Sequence, residues 1–162
     1  MQSSKGRTSG IVTIAFIAAV VASLSYYQFV YVSEANSKPH VRPEVANPLQ
    51  TTKVTIVKDA VLESNSRHFD PRDVRATIGI SNRVTWTNED AVAHTVTSDD
   101  EYIDTASGKF DSLAHADSTS GGFIEPNGGS WSFTFTKTGD FSYHCEPHPY
   151  MTGVIHVIDD FS

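Results

Sequence analysis

A run of 22 residues without a charge, Ile11 to Val32, divides this 162-residue chain into two unequal parts. At about 1.5 Å rise per residue it makes roughly 33 Å of helix, enough to cross a hydrocarbon core. Thr13, Ser23, Ser25 and Gln28 temper its hydrophobicity, and Tyr26, Tyr27 and Tyr31 crowd its C-terminal end, where an aromatic belt would sit. Lys5 and Arg7 precede it and Glu34 follows it, so the positive-inside rule predicts a cytoplasmic tail over 1–10 and an extracytoplasmic location for the rest. A secretory signal peptide is the competing reading, with Ser33-Glu34-Ala35 as its small-residue cleavage site. A signal's apolar core usually runs about 7–15 residues. The greater length here favours a single-pass transmembrane anchor over 11–32. The run lacks an amphipathic stripe, which argues against a buried core helix. Either surviving reading exports the remainder of the chain.

Residues 33–51 carry Pro39, Pro43 and Pro48 among polar residues without apolar periodicity, which predicts a flexible linker. The remainder, 52–162, reads as all-β. Short runs with period-2 or β-branched character predict strands at Lys53–Lys58, Val74–Ile78, Arg83–Asn88, Thr95–Ser98, Ser130–Thr136, Gly139–Cys145 and Val154–Ile158. Glycines and Asn/Asp clusters punctuate them, the pattern of a sandwich or barrel. Alternation assigns Trp86, Trp131, Phe133 and Phe135 to the core. Residues 99–123, rich in Asp, Ser and Gly, predict a long irregular loop with room for a short helix.

The net charge of -7 gives no affinity for a phosphate backbone and excludes nucleic-acid binding as a main role. A lone cysteine, Cys145, excludes an intrachain disulfide. Of the two methionines one is the initiator, and the other, Met151, stands six residues after that cysteine.

Between them lies His148, so Cys, His and Met recur at every third residue within Cys145-Glu146-Pro147-His148-Pro149-Tyr150-Met151. Such a loop can wrap one metal ion. A thiolate, an imidazole and a thioether suit copper, and two histidines, one cysteine and a weak axial methionine describe a blue-copper electron-transfer site. The second histidine must come from elsewhere, and His94 is well placed, at the start of a predicted strand after the turn-like Asn88-Glu89-Asp90. Pro147 and Pro149 stiffen the loop and lack an N–H, so Pro147 has no backbone hydrogen bond to offer the Cys145 sulfur. Fewer donors leave the thiolate electron-rich and favour Cu(II), which predicts a lowered reduction potential.

These residues resemble the small blue-copper proteins, the cupredoxins, and in particular their plastocyanin and amicyanin branch. The short Cys-x-x-His-x-x-Met loop is most similar to that of amicyanin. Upstream, Phe69-Asp70-Pro71, Ile78-Gly79, Val84-Thr85-Trp86-Thr87-Asn88 and His94-Thr95-Val96 follow the order of such domains. Phe133-Thr134-Phe135, the stretch 139–145 and Met151-Thr152-Gly153 continue it, and the resemblance covers about 52–159. It implies a Greek-key β-sandwich holding one copper ion, with His94, Cys145 and His148 as strong ligands and Met151 as the axial one. It also implies that electrons leave through the solvent-edge ligand His148, within an apolar patch including Pro149 and Tyr150, and offers His144 as a second exit beside the thiolate. Many relatives have Asn after the first histidine; here Thr95 stands there.

The expected role is single-electron transfer between protein redox partners at the outer face of a membrane. No catalytic residues, other cofactor or small-molecule substrate are assigned. Copper storage or delivery is the alternative, opposed by the single internal methionine and the stiff loop; an electron-transfer subunit of a larger redox complex is a third reading. A binuclear copper centre needs a second cysteine, and the His-x-His pairs of multicopper oxidases do not occur. The run Asp99-Asp100-Glu101, with Asp104, Glu89 and Asp90 nearby, reads as a solvated loop or as a docking surface for a basic partner. His40, His68, His115 and His156 read as solvated or structural, against a minor alternative of a second metal site at His115 and Asp117.

Overall fold

The structure, a computed structural model, describes residues 5–32, 41–115 and 121–160. The chain divides into two units, residues 1–38 and 39–162. In the first, helix α1 (Lys5–Tyr26) continues into a π-helical turn at Tyr27–Tyr31. Its stretch Gly10–Tyr31 is 22 residues long, apolar enough to cross a membrane, and unburied. An anchor and a signal sequence share those properties. Residues 33–40, including the candidate cleavage site and His40, lie outside the described residues.

Of the expected linker, 33–51, the structure describes residues 41–51. Pro43 opens a one-turn helix, α2 (Pro43–Ala46), at the position where its fixed φ is favourable. Val45 is buried, and its carbonyl accepts a 2.8 Å hydrogen bond from Asn82 Nδ2. One apolar side chain in a polar stretch, met by a buried amide, binds this segment to the sandwich.

The strands are β1 (Thr51–Ile56), β2 (Phe69–Asp70), β3 (Asp73–Thr77), β4 (Arg83–Asn88), β5 (Thr97–Ser98), β6 (Ile103–Asp104), β7 (Gly108–Lys109), β8 (Gly129–Thr134), β9 (Gly139–Cys145) and β10 (His148–Ile158). They form two four-stranded sheets, ordered β2-β1-β4-β8 and β3-β10-β9-β5, and the hairpin β6-β7. β1 runs parallel to β4, β3 parallel to β10, and the other pairs are antiparallel. This is the expected β-sandwich. The strands β4 and β9 occupy the predicted residues, because strict alternation of apolar and polar residues marks a half-buried strand.

Val84 and Trp86 of β4 point into the core, joined from across the sandwich by Tyr143 and Ile155. Trp86 meets Tyr143 edge-on, with ring centroids 5.5 Å apart. Gly153 makes room for that tyrosine, since a Cβ there would collide with its hydroxyl. Of the four aromatic residues assigned to the core, Trp86, Phe133 and Phe135 are buried, while Trp131 is half-buried against Trp86 at the rim.

Among its described residues, the long loop is more regular than expected. It holds β6, β7 and a 3-10 turn at Ser112–His115, and it sends Phe110 fully into the core. Asp104 and Asp111 are buried there too, so this acidic stretch is not uniformly solvated. Residues 116–120, with Asp117, lie outside the described residues.

Candidate metal centre

β9 delivers Cys145 to the end of the sandwich with its side chain fully buried. Glu146 and Pro147 form the turn, and His148 pairs back with Cys145 as the first residue of β10. The next pair is Thr152 with His144. Pro149, Tyr150 and Met151 therefore have no residue opposite them and form a bulge. Pro149 lacks the N–H that a regular ladder would use. The bulge carries Met151 into the core with no exposed surface, in the same buried cluster as Cys145. The fourth residue, His94, is held by reciprocal backbone bonds with Ile124, N–H to carbonyl, at 3.2 and 2.8 Å. It is fully buried, whereas His148 is half-buried at the solvent edge.

The imidazole Nδ1 atoms of His94 and His148 each lie 3.6 Å from Cys145 Sγ. All three donor atoms fall within 4.8 Å of one another. Bonds of about 2.0 Å to nitrogen and about 2.3 Å to sulfur, at 120°, put N and S about 3.7 Å apart. The spacing thus fits one ion between the three donors. Burial pushes the Cys145 thiol above its ordinary pKa, against the opposing pull of hydrogen bonds from Thr95. Burial also lowers the pKa of His94, outweighing the attraction of Asp90, so the ring is neutral and able to ligate at pH 7.

The model of the copper binding proteins of the plastocyanin/azurin family matches residues 56–158. The chain belongs to that family. As a cupredoxin it is 31% identical to chloroplastic plastocyanin of Tetradesmus obliquus over 86 residues, 53% of this chain and 54% of that protein. It is 29% identical to amicyanin of Paracoccus denitrificans over 78 residues, 48% of this chain and 50% of that one. The chain thus spans about half the length of these two relatives. Among solved structures, a purple cupredoxin from Nitrosopumilus maritimus is similar, with a TM-score of 0.48 and 21% identity over 66% of this chain and 99% of that one.

Thr95 links the two candidate ligand segments. Its hydroxyl accepts the Glu146 N–H at 2.8 Å, and its own N–H donates to Cys145 Sγ at 3.3 Å. The sulfur therefore has a donor even though Pro147 supplies none. His144 points away from the site, with Nδ1 2.5 Å from Asp99 and Nε2 3.8 Å from Glu146.

Asp90 does not belong to the surface acidic run in which its sequence neighbours place it. It is only 2% exposed, and its Oδ2 lies 2.9 Å from His94 Nε2. Asp104 likewise leaves the acidic run for the interior. Asp99, Asp100, Glu101 and Glu89 remain exposed. An Asp four residues before a candidate ligand histidine was the available sequence signal. Of the other histidines, His68 bonds the Ala60 carbonyl, His115 the Lys109 carbonyl and His156 the Asp140 carboxylate.

Proposed function

We propose that this cupredoxin binds one copper ion through His94, Cys145, His148 and Met151 and carries single electrons between protein partners. The observation that supports it most is the convergence of three donor atoms within 4.8 Å. They come from a bridge residue held by Ile124 and from the two residues that flank a two-residue turn, so backbone pairing in the sandwich sets their positions. Copper, when bound, supplies the one-electron couple. The protein's residues restrict rearrangement around it: Thr95 ties the two ligand segments, Pro147 and Pro149 stiffen the turn, and burial of Met151 excludes water. His148, half-buried at the edge, is the exit for electrons. Copper titration followed by absorption and spin resonance tests this reading. One equivalent and an intense visible band are expected; no uptake overturns it. Rapid loss of copper to a mild chelator would favour delivery instead.

The helix α1 tethers the domain to the outer face of a membrane in this proposal, with Lys5 and Arg7 on the cytoplasmic side. Exposed Asp99, Asp100 and Glu101 would speed encounter with a basic partner. Transfer rates to a small basic redox protein should then fall on the order of tenfold from low to high salt. A flat response would remove the docking role. Replacing Pro147 with alanine restores an N–H near the sulfur and should raise the reduction potential; a fall on redox titration would refute this.

A further inference from the structure

We infer that Asp90 is a positioning residue that fixes the ring tautomer of His94, keeping Nδ1 bare for the metal. The inference rests on the reading of His94 as a ligand. A neutral imidazole carries one proton, so a ring that ligates through Nδ1 must hold it on Nε2 and donate it from there. The partner of Nε2 must therefore accept, and an ionised carboxylate can only accept.

Asp90 has no capacity to spare. Its Oδ1 accepts the N–H groups of Asp59 at 3.1 Å and Ala91 at 2.7 Å. Its Oδ2 accepts the Val61 N–H at 3.0 Å and faces His94 Nε2 at 2.9 Å. Four donors converge on a carboxylate 2% exposed to solvent. The residue is itself held in place: its N–H donates to Asn88 Oδ1 at 2.9 Å, and the Asn88 amide donates to the carbonyls of Val92 and Ile124. The Asp90 side chain thus sets the loop at 59–61 and His94, while its backbone N–H ties it to Asn88 at the end of β4.

An amide in this position shows why the carboxylate is needed. Asn has one oxygen, which can satisfy one pair of donors, while its NH2 faces the other pair. If NH2 faced Asp59 and Ala91, two backbone donors with no alternative would be opposed. If it faces Val61 and His94, the ring can adapt by accepting at Nε2 and moving its proton to Nδ1. His94 is the only one of the four donors that can change role, so Asp90→Asn should select that arrangement. The proton then occupies the lone pair that points toward Cys145 Sγ. The carboxylate also places negative charge behind the ring, raising its basicity as a ligand and favouring the more highly charged ion.

The decisive measurement is nitrogen-15 NMR of the His94 ring in the metal-free full chain at pH 7.5, without and with Asp90→Asn. The wild type should show the proton on Nε2 and the variant on Nδ1. Copper affinity of the variant should fall about 10–100-fold, the usual loss when the partner of a ligand histidine is removed, and its reduction potential should rise. An Nδ1 proton in the wild type overturns the inference, as does a variant with wild-type copper affinity. If Asp90→Asn fails to fold, the wild-type spectrum still decides. Tyr150→Phe serves as a control, because it removes the Tyr150 hydroxyl bond to the Val61 carbonyl and loosens the same loop without touching the ring. It should leave the proton on Nε2; a tautomer change there would assign the effect to the loop and overturn the role of Asp90. A wild type that takes no copper but holds the Nε2 proton would refute the proposed function and leave the tautomer lock standing.

Discussion

Cys145→Ser should abolish the intense visible absorption of the copper-loaded protein and cut its copper affinity more than about 100-fold, beyond the usual loss from changing a ligand's neighbour. The sulfur is the soft donor of the set and the one both imidazoles approach, at 3.6 Å each. A hydroxyl is a harder and much less acidic donor, so it offers no anionic charge at neutral pH and little affinity for Cu(I). The fold should survive. Serine is smaller than cysteine, and its oxygen can still accept from the Thr95 N–H that now reaches the sulfur at 3.3 Å. Copper should therefore raise the melting temperature of the wild type, by linkage to the folded state, and leave that of the variant almost unchanged. Parallel absorption and melting curves on both proteins check this. Retention of an unaltered visible band by the variant would place the chromophore elsewhere and overturn the ligand assignment.

The four residues stand out in the sequence as candidate ligands because three lie within seven residues and their chemistry is unusual in combination. The strands β4 and β9 were legible for a different reason: alternation along Val84, Trp86 and along Phe141, Tyr143, Cys145 is local. What could not be read is what the chain does at a distance. The parallel pairing of Thr51–Ile56 with Arg83–Asn88 leaves no mark in either segment. The two-residue strand Phe69–Asp70 is too short for periodicity. Val45 in a polar linker gives no pattern, yet a buried Asn82 draws its backbone to the sandwich. The acidic run misled for the same reason. Composition treats Asp90, Asp99 and Asp104 alike, but the donors around each carboxylate decide whether it faces solvent, a ring or a set of backbone N–H groups. Thr95 illustrates the converse. It stands where many relatives have Asn, and nothing in the sequence shows that its hydroxyl accepts from Glu146 and joins the two candidate ligand segments.

The second large effect falls on stability. Asp104→Ala should destabilise the domain by about 3–5 kcal/mol while leaving the copper spectrum intact. Asp104 is 2% exposed and fastens the long segment after β5 to the end of the first sheet. Its oxygens accept the Thr136 N–H at 2.7 Å, the Tyr102 hydroxyl at 2.8 Å and the Ala106 N–H at 2.8 Å, with further bonds from Ser107 and the Thr136 hydroxyl. Removing the carboxylate strands several donors, each costing about 1–3 kcal/mol where water cannot reach it. None of the four candidate ligands is among its partners, so the spectrum should not follow the loss of stability. The same residue sets a pH dependence. Burial works to raise its pKa, but the hydrogen bonds from Ala106, Thr136 and Tyr102 outweigh that and hold it below the ordinary value of 3.8. In the interval between the lowered folded value and the ordinary unfolded one, the unfolded chain binds the extra proton. The contribution is thus complete above the unfolded value and is lost as pH falls through the folded one. Denaturant unfolding of wild type and variant at neutral pH and near pH 3 checks the sign. The gap between them should narrow in acid; a gap that stays constant or widens would mean that the Asp104 carboxylate is not held below its ordinary pKa.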